Sequence, residues 1–148
     1  MPIPNFDEKG LLPPGIHDCS LDEIRERFGT YQGTDRRVEL YAKLQAFLEE
    51  VRSTRLVVAV IVDGSFVTSK PNPEDIDLIL VLSSDHDFSA KLRPFEYNVL
   101  SRRRVRRRYG FDLFVARENR PEYNEYTEFF QQVRGQPEAR KGIVRIQL

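Results

Sequence analysis

The chain has 148 residues, 40% of them hydrophobic, with 23 Lys and Arg balancing 23 Asp and Glu. This length implies one domain, 1–148, that buries roughly two-thirds of its unfolded surface without staples, and one cysteine excludes an internal disulfide and a CxxC metal site. No apolar run approaches the roughly 20 residues of a bilayer span, and Met1-Pro2-Ile3-Pro4-Asn5-Phe6-Asp7 lacks a signal-peptide layout, so the expectation is a cytoplasmic protein with no membrane partner.

Residues 1–19, with Pro2, Pro4, Gly10, Pro13, Pro14 and Gly15, read as an extended arm. Ser20-Leu21-Asp22-Glu23 is a capping-box pattern and predicts a short helix ending near Gly29. Thr34 or Asp35 caps a longer helix whose apolar stripe is Val38, Tyr41, Leu44, Phe47, Leu48 and Val51. The period then changes. Leu56–Val62 is a β-branched run short enough for a buried strand, ended by Asp63-Gly64-Ser65. A second strand covers Asp75–Leu82. Leu92, Phe95, Val99 and Leu100 predict one helix across about 88–107. Gly110 introduces a third strand, Phe111–Val115. Asn119 and Pro121 read as the cap and first turn of a helix with Tyr123, Tyr126, Phe129, Phe130 and Val133 on its apolar side. Gly142–Leu148 reads as a terminal strand. The expected class is α/β, a small mixed sheet packed with helices.

Chemistry concentrates at two neighbouring features. Gly64-Ser65 ends the first strand, and Asp75-Ile76-Asp77 opens the second after nine intervening residues. Strand alternation puts positions 75 and 77 on one face, about 6.6 Å apart along the backbone, where two carboxylates suit a hard cation such as Mg²⁺. Acids in apolar strands are costly unless paired, yet three strands carry them: Asp63, the Asp75/Asp77 pair, and Asp112. With Asp112 on a strand beside 75–82, three carboxylates converge. Gly64 permits close backbone approach to a ligand. A short helix after it would aim free N–H groups at a phosphate, and Lys70 lies within reach as a point charge.

Gly64-Ser65, Asp75-x-Asp77 and Asp112 together resemble the DNA polymerase beta nucleotidyltransferase superfamily, and its minimal single-domain members above all. The match covers about 56–117, the motif-bearing core. The resemblance implies a palm-like nucleotidyltransferase fold, with Gly64 and Ser65 holding nucleotide phosphates. It implies Asp75 and Asp77 as ligands of Mg²⁺ or Mn²⁺, and Asp112 as a third ligand or as the base for the incoming hydroxyl. The substrate would be a nucleoside triphosphate (ATP among them) and the acceptor a protein or RNA hydroxyl. The segment Ile3–His17 also resembles bacterial nucleotidyltransferase-like proteins. Relatives occur in toxin–antitoxin pairs, and so small a domain would bind its acceptor as a homo-oligomer or with a cognate protein partner. The alternative is a catalytically inactive nucleotidyltransferase-like binding module of antitoxin type.

Charge is not evenly spread. Residues 1–90 carry 9 basic and 16 acidic side chains, and residues 91–148 carry 14 basic and 7 acidic. Either an anionic partner meets the second half or the halves neutralise each other across the fold. Arg102, Arg103, Arg104, Arg106, Arg107 and Arg108 are read either as a nucleic-acid or triphosphate site or as a solvated helix end whose cations suit the dipole. The Tyr123–Phe130 stripe reads as core, and His17, His86 and Cys19 as bystanders. Asp63 reads either as a residue that orients the Gly-Ser turn or as one that stands behind the metal ligands, not as a ligand itself.

Overall fold

A computed structural model describes residues 3–148; Pro2, counted in the arm, lies outside them. The first helix, α1 (Leu21–Phe28), starts as its sequence dictates. The Ser20 hydroxyl accepts the Glu23 N–H at 3.1 Å and the Glu23 carboxylate accepts the Ser20 N–H at 3.1 Å. The second, α2 (Arg36–Thr54), buries Leu40, Tyr41, Leu44, Phe47, Leu48 and Val51. Val38 is instead 43% exposed. At 100° per residue it stands well off the stripe's centre, and the buried position beside it is Arg37.

Five strands form one mixed sheet: β1 (Gly15–Cys19), β2 (Val57–Asp63), β3 (Asp77–Leu82), β4 (Asp112–Arg117) and β7 (Gly142–Gln147), in the order β1-β7-β2-β3-β4. The outer pairs β1/β7 and β3/β4 are parallel; β7/β2 and β2/β3 are antiparallel. The expected α/β class therefore holds as a mixed sheet with five helices among the described residues. The last five residues of the predicted arm pair as a strand, and the rest of it packs: Ile3 and Leu12 are buried, and Phe6 meets Phe28 at 6.0 Å between ring centroids. The arm's hydrophobic residues are too sparse to show a period, so only pairing reveals them.

The predicted 88–107 helix is two helices, α3 (Pro94–Leu100) and α4 (Arg102–Tyr109). Ser101 breaks it by taking an extended backbone while its hydroxyl accepts the Arg104 N–H at 3.3 Å, capping α4. The next helix, α5 (Pro121–Phe130), is capped at Arg120; Asn119 sits one residue earlier in a left-handed turn, φ 58°. A short hairpin that the sequence did not announce, β5 (Gln132–Val133) with β6 (Gln136–Arg140), follows and takes Val133 out of the helix.

Alternation along the strands sorts the core into two layers. Val60, Val62, Leu78, Leu80 and Leu113 pack with residues of α1, α2, α3 and α4. Ala59, Ile61, Ile79, Val81 and Ala116 face the other way, toward Phe130 of α5. Asp63, Asp77 and Asp112 continue this second parity, so all three acids stand on the α5 face at one end of the sheet.

Candidate active site

Register brings the acids into a row. Asp63 on β2 is the partner of Asp77 on β3, and Asp77 is the partner of Asp112 on β4. Neighbouring strands lie about 4.8 Å apart, so three carboxylates stand side by side where like charges repel. Asp75 precedes β3, which begins at Asp77 and not at 75 as predicted. All four acids, with Gly64 and Ser65, line one open cavity of about 650 Å³ whose other walls include Phe114, Phe129, Arg134 of the hairpin turn and Lys141.

Each acid has its own answer to the repulsion. Asp63, only 3% exposed, is paired with Lys141, whose Nζ donates to both carboxylate oxygens at 2.8 and 3.0 Å. Burial nevertheless raises its pKa, against the pull of that lysine. Asp112, half-exposed, pairs with Arg106 of α4. Asp75 Oδ1 accepts the Ser65 N–H at 2.9 Å and the Ser65 hydroxyl at 2.5 Å. Burial opposes ionisation of Asp75, but these bonds, with Lys141 and Lys70, hold it below the ordinary carboxylate range. Asp77 has no such partner: its Oδ1 is buried without a hydrogen bond. Burial first, then Asp75, Asp63 and Asp112, push its pKa up to about 7.

The turn that presents Ser65 is built from backbone necessity. Gly64 has φ 95°, and a Cβ on it would lie 2.8 Å from the Asp75 carbonyl oxygen. Its lack of a side chain lets the turn rest on the Asp75–Asp77 backbone. Ser65–Val67 form a single 3₁₀ turn. Arg37, 1% exposed, clamps the segment beyond: its guanidinium donates to the carbonyls of Phe28, Phe66, Thr68 and Lys70, the last three at 2.6 Å. Arg36 holds the far end through the carbonyls of Pro73 and Glu74, at 2.8 and 2.7 Å. Two adjacent arginines at the start of α2 thus set the loop from Ser65 to Asp75.

The DUF6932 description, a family of unknown function, matches residues 4–147. The chain belongs to this family. No curated protein and no solved structure matches it.

Within this DUF6932 domain the expected residues divide. Gly64, Ser65, Asp75, Asp77 and Asp112 meet at one cavity. Lys70 does not line it; its ammonium pairs with Glu74 at 3.5 Å. The N–H groups expected to be free for a phosphate are spent inside the loop: Ser65 donates to Asp75 Oδ1 and Phe66 donates to the Asp75 carbonyl at 3.2 Å. Among the described residues, no three His, Cys, Asp or Glu side chains stand as a ready metal-holding group. The carboxylates turn to Ser65, Arg106 and Lys141 instead. Lys141 carries no motif that marks it in the sequence. Only the pairing of β7 with β2, Val62 with Val144, shows that a lysine just before β7 lies beside the acid that ends β2. Arg37 was hidden for a similar reason, as an arginine inside an otherwise apolar stripe. His17 is a structural residue, its Nε2 2.7 Å from the Pro13 carbonyl oxygen.

The donor set suits a hard divalent cation. It offers carboxylate oxygens alone, and one of them is buried and unpartnered. Both Ser65 bonds use Asp75 Oδ1, leaving Oδ2 without a protein hydrogen bond among the described residues. The Arg106–Asp112 pair is exposed on both sides, and such pairs are worth about 1 kcal/mol or less, so Asp112 is readily exchanged from it.

Proposed function

We propose that the acidic cavity is a nucleotidyl-transfer site acting on a nucleoside triphosphate and an acceptor hydroxyl. The observation that carries this reading is the row Asp63–Asp77–Asp112 across three adjacent strands, with Asp77 left uncompensated beside the Gly64-Ser65 turn. Such a row is costly to keep without a cationic guest. Asp75, Asp77 and Asp112 would hold Mg²⁺ or Mn²⁺, which when bound supplies neutralisation of the carboxylates and of the triphosphate.

The chain's own groups then have distinct tasks. Asp63 and Lys141 cancel each other at the buried end, so that Asp63 adds no bare charge to the cavity. Ser65 fixes the Asp75 carboxylate. Asp112, at the exposed end, takes the proton of the incoming hydroxyl as its oxygen bonds to the α-phosphorus and the bond to the β-phosphate oxygen breaks, releasing pyrophosphate. Phe114 and Phe129 give the cavity an apolar wall.

A second reading, a nucleotidyltransferase-like binding module without catalysis, is favoured by one observation. The turn's N–H groups and the Ser65 hydroxyl are already used by Asp75. Incubation with α-labelled nucleoside triphosphates, Mn²⁺ or Mg²⁺, and protein or RNA acceptors separates the two. The transfer reading expects label on an acceptor or on the chain itself, and at least a hundredfold less with Asp75→Ala/Asp77→Ala. Equal labelling by both proteins would refute it.

A further inference from the structure

The most concentrated charge in the chain lies outside the acidic row, on α4, where Arg102, Arg103, Arg104, Arg106, Arg107 and Arg108 share eight residues with no acid in the first turn. At 100° per residue they form three i, i+4 rows, 102/106, 103/107 and 104/108, with buried Val105 opposite the middle row. Each like-charge row weakens the helix. Arg102–Arg104 also stand at the positive end of its dipole, where cations are unfavourable; only Arg106–Arg108 stand at the end that suits them. Helix stability therefore does not account for this composition.

The flanking rows have partners. Arg102 lies over the Phe114 ring at 5.0 Å, Arg104 over the Tyr97 ring at 4.5 Å, Arg106 meets Asp112 and Arg108 meets Glu50. The middle row, Arg103 and Arg107, is exposed and has no carboxylate partner among the described residues. Exposed aromatics lie nearby under other guanidinium groups: Tyr97, 46% exposed, under Arg104 of α4, and Phe88, 53% exposed and in the loop before α3, under Arg117 of β4 at 5.1 Å. Phe88, Arg102 and Phe114 share a groove of about 320 Å³. Arg102, Arg103 and Arg106 border a hollow of about 200 Å³ that ends on Asp112, at the rim of the acidic cavity.

We infer that this α3–α4 face binds single-stranded RNA, a reading independent of nucleotidyl transfer. The unpaired cations call for a polyanion. The exposed aromatic and guanidinium planes call for unpaired bases. An acidic peptide meets the first requirement but gives Phe88 and Tyr97 nothing planar, and a duplex keeps its bases stacked within itself. Unpaired bases are the usual presentation of RNA loops and ends. A helix of eight residues, about 12 Å long, spans two or three nucleotides.

Fluorescence anisotropy with an unstructured, labelled RNA of about 12 nucleotides, titrated between roughly 50 and 200 mM salt, tests this. Binding by the native chain should weaken steeply with salt. Arg103→Glu/Arg107→Glu should lose about tenfold or more in affinity and lower the log–log salt slope by about 1.4, the value for two single-strand phosphate contacts. Its thermal midpoint should change little, because an acid suits the start of the helix at 103 and opposes its end at 107. Tyr97→Ala should weaken binding several-fold with the slope unchanged. Salt-insensitive binding, or equal binding by the double variant, would overturn the assignment. So would a duplex, polyglutamate or the matching DNA binding as tightly as the RNA.

Discussion

Three adjacent strand ends each carry an acid, and at the level of single residues the consequence falls on Asp77. Lys141 and Arg106 serve its neighbours, and Asp77 is left with a buried oxygen and a pKa near 7. The folded chain therefore holds this proton to a higher pH than the unfolded chain does. The stability it brings is full below about pH 4 and is lost as pH rises through about 7. Asp77→Asn, which carries no charge at this position, should be more stable than the native chain at pH 8, by on the order of 2 kcal/mol. Near pH 4 the two should nearly coincide. Thermal melts across that range check it; an Asn variant less stable at pH 8 would show that the carboxylate is compensated after all.

The loop between β2 and β3 depends on α2 more than on its own residues. Arg37 donates to four carbonyls, two of them in buried contacts and two in part-buried ones, and Lys cannot reproduce a planar fork with several donors. Arg37→Met should cost about 3 kcal/mol by denaturant midpoint, and Arg37→Lys should recover only a minor part. A full rescue by Lys would mean that charge, and not the fork, holds the loop.

Much of this architecture was legible in the sequence, because it rests on local rules. The Ser20 capping box, the α2 stripe and the runs that became β2, β3, β4 and β7 announced themselves by cap chemistry and period. The meeting of Asp77 and Asp112 also followed from strand order and parity, whereas Asp75 lies before the strand and reaches the same cavity through its bonds to Ser65. What was not legible depends on pairing. β1 gains its identity only from β7, and Lys141 becomes a site residue only through the β7–β2 register. The β5–β6 hairpin is too short and polar to carry a pattern. Ser101 splits a helix because its hydroxyl competes for the next turn's N–H, a local choice that apolar spacing does not register.

Across the whole molecule the two charge features turn out to be neighbours. The acidic row ends at Asp112, and Asp112 is held by the arginine helix. That pair lies within the basic half of the chain; the two halves themselves neutralise each other across the fold in the pairs Lys141–Asp63, Arg108–Glu50 and Arg145–Asp18. No helix of the described residues is long and apolar enough to cross a membrane. The domain presents an acidic hollow beside a basic face; in the readings proposed above, the first takes a cation with its triphosphate and the second a polyanion.

Calorimetric titration of ATP with Mg²⁺ or Mn²⁺ into the native chain and into Asp77→Asn at pH 7.5 examines the acidic cavity most directly. The account predicts saturable nucleotide binding that requires the metal and is lost at least tenfold in the variant. Binding that ignores the metal, or that Asp77→Asn leaves unchanged, would contradict it.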